Sequence, residues 1–323
     1  MSNFKKTSSK TRFTYVVYLL VAIFFGTSPF FIDAYFLYIF NLIGIGVILT
    51  IGLNLVMGYA GQISLSHGAF FGMGAYGTAI LVEKLGLSFW VAWPLGGILA
   101  AIIGIIIGLP ALRVGGHYLA LVTLGANEIF NLILIHSEGL TEGVVGLKVA
   151  RPRIGSFAFS EDAYFFYIVF ITCVVLIWVA NNIINSQFGR AFNAIRESET
   201  AAQAIAINLY EYKLIAFAIS AFYAGIAGGL YGSLIKFIDP TNFDLFLSIK
   251  YLAIVIVGGL GSIPGSLIGA GIMTVLPELF RAFGDYQHLI YGFILLIFVI
   301  FLPRGIIGLL SSLRGIFGVK LRA

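Results

Sequence analysis

One cysteine, Cys173, stands in 323 residues. A single thiol closes no disulfide within the chain and builds no cysteine-based metal framework. Charge is equally scarce, because Asp, Glu, Lys and Arg make up 10% of the residues, where a soluble domain carries about 25%. With 60% hydrophobic residues, the composition excludes an ordinary soluble domain and predicts an all-α polytopic integral membrane protein. No Gly-Lys pair occurs anywhere, so there is no Walker A loop to cradle ATP phosphates. No His-Glu-x-x-His zinc motif and no Ser, His and Asp grouping around a nucleophile elbow is present either, which leaves an enzymatic reading without support. The four histidines, His67, His117, His136 and His288, lie in separate segments without metal-ligand spacing.

What the chain does have is apolar runs. A bilayer core about 30 Å thick needs roughly 20 apolar residues per helix, and that ruler gives ten spans, near 13–32, 34–57, 68–84, 88–109, 117–135, 164–184, 212–235, 248–258, 265–281 and 286–303. The third is short and Gly-rich, and the eighth and ninth are joined by Gly258 to Gly265 with Pro264, so broken or re-entrant helices are expected there. Residues 1–12 read as a retained N-terminal tail rather than a cleaved leader, since the run that follows exceeds the usual h-region, and residues 304–323 read as a C-terminal tail. The net charge of +5 does not point to nucleic acid, because the basic residues cluster in short loops and tails. With ten spans and an internal N-terminus, twelve of the 19 Lys and Arg residues fall on the inner side, which predicts that both termini are cytoplasmic. Two connecting loops are long enough for further work: 136–163 outside and 185–211 inside.

Polar residues inside such a chain must face protein or water. The segment from Gly58 to Gly77 places Gln62, Ser64, Ser66 and His67 at the inner edge of the third span. These, with Asn127, Glu128, Gly258, Gly259 and Gly261, are the candidates for a translocation pathway. For Glu128 two readings stay open, a pathway carboxylate that meets an ammonium group or a packing carboxylate bonded to a neighbouring helix. A lone His67 is more often a hydrogen-bonded packing residue than a metal ligand. Gly72 to Gly77 fits the dinucleotide pattern of glycines but follows no strand, and reads as helix packing, as do the pairs Gly104/Gly108 and Gly225/Gly229. Gly258 to Gly265 reads as a broken helix lining a pathway.

Between Gly189 and Asn208, the apolar Phe192, Ile195, Ala202, Ile205 and Ile207 alternate with Arg190, Arg196, Glu197 and Glu199. The pattern predicts an amphipathic helix with a turn or second helical piece from Ser198. Periodicity alone leaves two readings open, an interfacial connector or a helix that docks into a groove of a soluble partner.

Gly189-Arg-Ala-x-x-Ala-Ile-Arg-Glu-Ser-Glu-x-Ala-Ala202, followed by Ile207-Asn208, resembles the coupling segment of bacterial branched-chain amino acid ABC transporter permeases of the LivM type. Asn54-Leu-x-x-Gly-Tyr-Ala-Gly-Gln-Ile-Ser-Leu-Ser-His-Gly-Ala-Phe70, Thr123-Leu with Glu128-Ile129, Leu140-Thr, Asp239-Pro240 and Val257-Gly-Gly-Leu-Gly-Ser-Ile-Pro-Gly265 extend the resemblance in order, over roughly residues 40–305. The resemblance implies a transmembrane permease domain over 13–303 in the bundle of an ABC importer, located in the bacterial plasma membrane. It further implies that Gly189, Arg190, Ala194, Arg196, Glu197, Glu199, Ala201, Ala202 and Asn208 meet partner ATPases, two in number, which bind the ATP and Mg so that this chain needs no cofactor. A second related permease and an extracytoplasmic binding protein delivering leucine, isoleucine or valine complete the implied assembly. Two departures stand out. The general pattern places Gly four residues after Ala202, where this chain has Ala206, and the outer loop reads Thr141-Glu-Gly-Val-Val-Gly146 where relatives often carry a second Gly and an Asp. Urea and short-amide permeases share nearly every block, so the solute stays open between them. An ion-coupled secondary transporter is the alternative from another class, and it would have to rely on Glu128 and Glu278 as its membrane carboxylates.

Overall fold

The computed structural model describes residue 29 and residues 31–114, 116–154, 157–158, 162–302 and 305–309. Nearly all of the expected first span, the N-terminal tail and most of the C-terminal tail lie outside the described residues. Among the described residues, six helices are long and apolar enough to cross a membrane, with shorter apolar helices beside them. In chain order they are α1 (Ala34–Asn54), α2 (His67–Glu83), α3 (Phe89–Ala111), α4 (His117–His136), α5 (Asp162–Asn185), the short α6 (Gln187–Glu197) and α7 (Glu199–Ala204), then α8 (Leu209–Ile235), α9 (Leu245–Gly258), α10 (Ile263–Leu279) and α11 (Gln287–Phe301). Nine of the ten expected spans thus coincide with helices, α8 and α9 each starting three residues earlier than expected.

The bundle is organised around α8, which packs on α1, α2 and α3. Its inward residues are small, including Ala216, Ser220, Ala221, Ala224, Gly225, Ala227 and Gly228, all buried. In lipid there is little hydrophobic drive between helices, so backbone-to-backbone approach supplies the contact. A Cβ on Gly74 would stand 2.0 Å from the Gly225 carbonyl oxygen, one on Gly225 would stand 2.9 Å from Gly97 Cα, and one on Gly104 would stand 2.6 Å from Ala221 Cβ. The glycine rows therefore serve helix packing, as their spacing predicts. Outward faces stay apolar, with Val91, Ile102 and Ile106 on α3 and Ile171, Val174 and Trp178 on α5 exposed, as lipid contact requires.

The two long loops lie at opposite ends of the bundle. Residues 136–154 and 157–158 form single turns and two short pairings, β1 (Leu147–Lys148) antiparallel with β4 (Phe237–Ile238) and β2 (Arg153–Ile154) with β3 (Phe157–Ala158). Glu83 and Lys84, at the end of α2, tie to them through Ala150 N (3.0 Å) and Gly139 O (2.7 Å). At the other end α6 and α7 sit beside the start of α8, where Tyr210 donates to Leu109 O (2.9 Å). The described basic residues divide between the ends as the alternation of spans predicts, Arg113, Arg190, Arg196 and Lys213 at the α6–α7 end and Lys84, Lys148, Arg153 and Lys236 among those at the other. The excess expected for the α6–α7 end rests on Lys and Arg residues of the two tails that lie outside the described residues.

Candidate functional site

Two interruptions of the helical backbone meet beneath α6. The first follows α1, which passes into a π turn (Leu55–Tyr59) and then a non-helical stretch, 60–66, before α2 begins. The second separates α9 from α10, where Gly259 and Gly261 hold φ of +122° and +72°, a backbone that side-chain-bearing residues rarely adopt. Peptide groups freed at membrane depth need partners inside the protein, and Asn54 supplies them. Its side-chain nitrogen donates to Ser266 Oγ (2.7 Å), Ser262 O (3.0 Å) and Gly259 O (3.4 Å), and its oxygen accepts from Gly261 N (2.9 Å). Gly58 stands so close that a Cβ there would lie 2.3 Å from Gly261 N.

The stretch 60–66 is bonded with equal care. Leu65 N donates to Thr123 Oγ1 (2.9 Å), and the first turn of α2 is capped from two other helices: Ala69 N donates to Asn127 Oδ1 (2.8 Å) on α4 and Gly68 N to Ser248 Oγ (2.7 Å) on α9. His67 Nε2 lies 3.0 Å from Leu49 O, the geometry of a ring N–H donating to a carbonyl. Ser64 and Ser66 share a hydrogen bond (3.1 Å), and Gln62 reaches Ala60 O (3.1 Å). The expected pathway residues Gln62, Ser64, Ser66, His67 and Asn127 are thus all buried within this one chain. Glu128 is separated from them. One residue on from Asn127, it lies on the exposed face of α4 with Leu121, Ile129 and Leu132, because a helix turns about 100° per residue. Gly258 and Gly259 are buried, and Gly259 and Gly261 form the break itself.

The amphipathic helix and its turn are where the pattern puts them. Ser186 caps α6 by accepting from Phe188 N (3.1 Å), and Ser198 ends α6 and caps α7 by accepting from Ala201 N (3.3 Å). The buried face is Gly189, Ala191, Phe192 and Ile195. Arg196 is exposed, yet its guanidinium donates to Gly58 O, and a Cβ on Gly61 would stand 3.0 Å from Arg196 Cγ. Its guanidinium also lies over Gly261, where a Cβ would meet it at 2.6 Å. One side chain of α6 therefore touches both interruptions. Glu199 is bound within the chain as well, paired at 2.7 Å with Lys213, whose side chain is almost fully buried. Asn208 caps α8 by accepting from Glu211 N (3.4 Å), and Ala202 is buried. Arg190, Arg196, Glu197, Glu199 and Ala201 are exposed, as are Ala204 and Ile205, while Ala194 is half-buried. Sequence reasoning missed Asn54 as the tie and Lys213 as the brace. A polar residue inside an apolar span and a lysine just inside the start of α8 are the signals that point to them.

Ala206 holds φ of +62°, a left-handed backbone that suits the Gly expected at this position better than Ala. The left-handed backbone costs an L-residue roughly 1–2 kcal/mol, partly offset in glycine by its greater loss of freedom on folding. Ala206→Gly is expected to stabilise the turn by about 1 kcal/mol, read as slower amide exchange over residues 203–208, with transport retained. Unchanged or faster exchange there counts against the strain.

A bundle of apolar, interrupted helices with an amphipathic helix pair at one end is the architecture of a membrane permease. The family model described as "Branched-chain amino acid transport system / permease component" matches residues 35–302. The high-affinity branched-chain amino acid transport system permease protein LivM of Escherichia coli K12 is 35% identical over 81% of this chain and 67% of its own length. LivH of Salmonella typhimurium is 28% identical over 81% of this chain and 90% of its own. A chain of PsaBC from Streptococcus pneumoniae in complex with Fab aligns over 85% of this chain and 94% of its own, at 14% identity and a TM-score of 0.44. This chain belongs to the branched-chain amino acid ABC transporter permease family, and is a multi-pass permease component without ATPase activity or a cofactor of its own.

Proposed function

We propose that α6 and α7 form the surface on which a separate ATPase docks, and that Arg196 passes its movement to the two backbone interruptions. The observation that carries this reading is the single Arg196 residue set against three glycines at once, its guanidinium on Gly58 and Gly261 and its Cγ on Gly61. The exposed Arg190, Glu197, Ala201 and Ile205 meet the partner, while Phe192, Ile195, Arg196 and Glu199 lock the lever to the bundle. A lever must be rigidly joined to what it moves, and glycines at the joint let the backbone on its far side change conformation. On this reading ATP and Mg reside in two partner subunits and both termini face the cytoplasm. A second, related permease packs against the exposed face of α4, where Glu128 borders the path between the two, and an extracytoplasmic binding protein delivers substrate at the end that carries β1 and β4. The breaks at Gly58–Ser66 and Gly258–Ser262 move when the lever moves.

Arg196→Met keeps much of the side chain's length and removes its donors. In proteoliposomes holding the assembled transporter, the variant is expected to keep ATP hydrolysis near the wild-type rate while leucine uptake falls at least about tenfold, the loss of about 1.4 kcal/mol of coupling. Uptake and hydrolysis that stay in the wild-type ratio sink the relay.

A further inference from the structure

Lys213 stands near the start of α8 with its side chain almost fully buried, and a charged group within a membrane helix is costly enough to mark a function. Its partner is Glu199, the first residue of α7, at 2.7 Å. The two ends of this bond differ: the ammonium lies inside the bundle, whereas the carboxylate is about half exposed, on the surface that carries Arg190, Glu197 and Ala201. A helix of six residues is too short to hold its shape unaided. Beside the buried Ala202, the ion pair is what fixes α7 to the bundle. α8 then runs for 27 residues without a proline, about 40 Å at 1.5 Å per residue, enough to cross the bilayer core. Its far end is built into the outer loop. Val149 N donates to Lys236 O (3.0 Å), Leu147 and Lys148 pair with Ile238 and Phe237, and Ser233 Oγ donates to Ala150 O (3.5 Å). Lys236 ends the helix with φ of +65°, a left-handed backbone that such bonds hold in place. Arg196, in contrast, reaches the breaks at Gly58 and Gly261, close to α6.

We infer that the Glu199–Lys213 pair is a second transmission point, which joins α7 to the uninterrupted α8 so that movement at the ATPase-facing end displaces residues 147–150 at the opposite end. Rigid elements carry coupling between distant sites, and α8 is such an element where α1 and α9 are broken. Lys213 is then a positioning residue for the outer end, as Arg196 is for the interruptions at the inner one. The inference rests on the docking of an ATPase at α6 and α7 and adds a division of labour to it. Each anchor has its own output.

Amide exchange of the assembled transporter in nanodiscs, nucleotide-free against a non-hydrolysable ATP analogue, reads the two outputs separately, over residues 147–150 and 258–262. In the wild type both stretches are expected to change their exchange rate with nucleotide. Lys213→Met puts an unbranched apolar side chain into the buried site and leaves the half-exposed Glu199 to solvent, so no buried charge is stranded. It is expected to cut the response at 147–150 at least about fivefold and to leave that at 258–262 unchanged. Glu199→Gln is expected to match it and serves where the methionine variant does not assemble. Lys213→Glu combined with Glu199→Lys is expected to restore the response, and Arg196→Met to show the reverse pattern, with 258–262 silenced and 147–150 retained. A pair that served stability alone would move both stretches or neither. Single variants that keep the full response at 147–150, or that lose both responses together, overturn the inference. A wild type that responds at 258–262 and not at 147–150 removes it alone, whereas a wild type that responds at neither removes the docking reading beneath it.

Discussion

Asn54→Leu is expected to abolish transport and to lower the stability of the membrane bundle by about 3–6 kcal/mol, since each buried polar group left without a partner costs about 1–3 kcal/mol. Leucine fills nearly the same volume, so the loss is one of hydrogen bonds rather than of packing. It strands Gly261 N–H and removes the donor that serves Ser266 Oγ, Ser262 O and Gly259 O, at a site where Asn54 is 2% exposed and no water competes. Two helices, α1 and α10, lose their tie at the point where both backbones are broken. Asn54→Asp separates the parts: it keeps an acceptor for Gly261 N but turns lone pairs toward three oxygens, and is expected to be no better than leucine. Thermal unfolding in detergent, with proteolysis scored between residues 258 and 263, reads the effect. A leucine variant that melts with the wild type and resists cleavage there removes Asn54 from the account.

The spans were legible because lipid imposes one length and one composition on every helix, and that constraint is local in sequence. The interruptions were legible for a related reason, since glycine and proline clusters in an apolar chain have few other uses. Ala206 was legible only against related sequences, as a missing glycine whose left-handed backbone the structure then displays. Direction was not legible. The resemblance alone assigns Arg196 and Glu199 to a partner; both are exposed, and each also bonds within its own chain, to Gly58 and to Lys213. Nothing in a helical period tells that residues 138 positions apart will meet. Gln62, Ser64, Ser66, His67 and Asn127 read as pathway linings because polar groups in lipid need a reason; in the structure all five are buried, and Asn127 caps α2 through Ala69 N. Asn127 and Glu128 make the point most sharply, adjacent in sequence, one buried against α2 and the other exposed.

Gly228→Ala is expected to cost about 3 kcal/mol, the upper part of the usual range for overpacking, and to reduce the yield of folded protein steeply. A Cβ at that position would stand 1.9 Å from Phe71 O and 2.9 Å from Ala75 N, which are backbone atoms of α2 and cannot swing aside as a side chain would. The helices must separate, and with them the facing contact of Gly74 on Gly225 and of Gly225 on Gly97, so one methyl group loosens the α2–α3–α8 core. Gly271→Ala is the matched control. Gly271 lies within α10 with no atom inside 4 Å of a Cβ built there, and alanine exceeds glycine in helix propensity by about 0.8–1.0 kcal/mol. The same chemical change is therefore expected to destabilise one helix and to leave the other unharmed or firmer, as read by thermal melting of the detergent-solubilised chain. Equal melting of the two variants means that the bundle tolerates separation of α2 from α8, and that close backbone approach is not what holds the α2–α3–α8 core together.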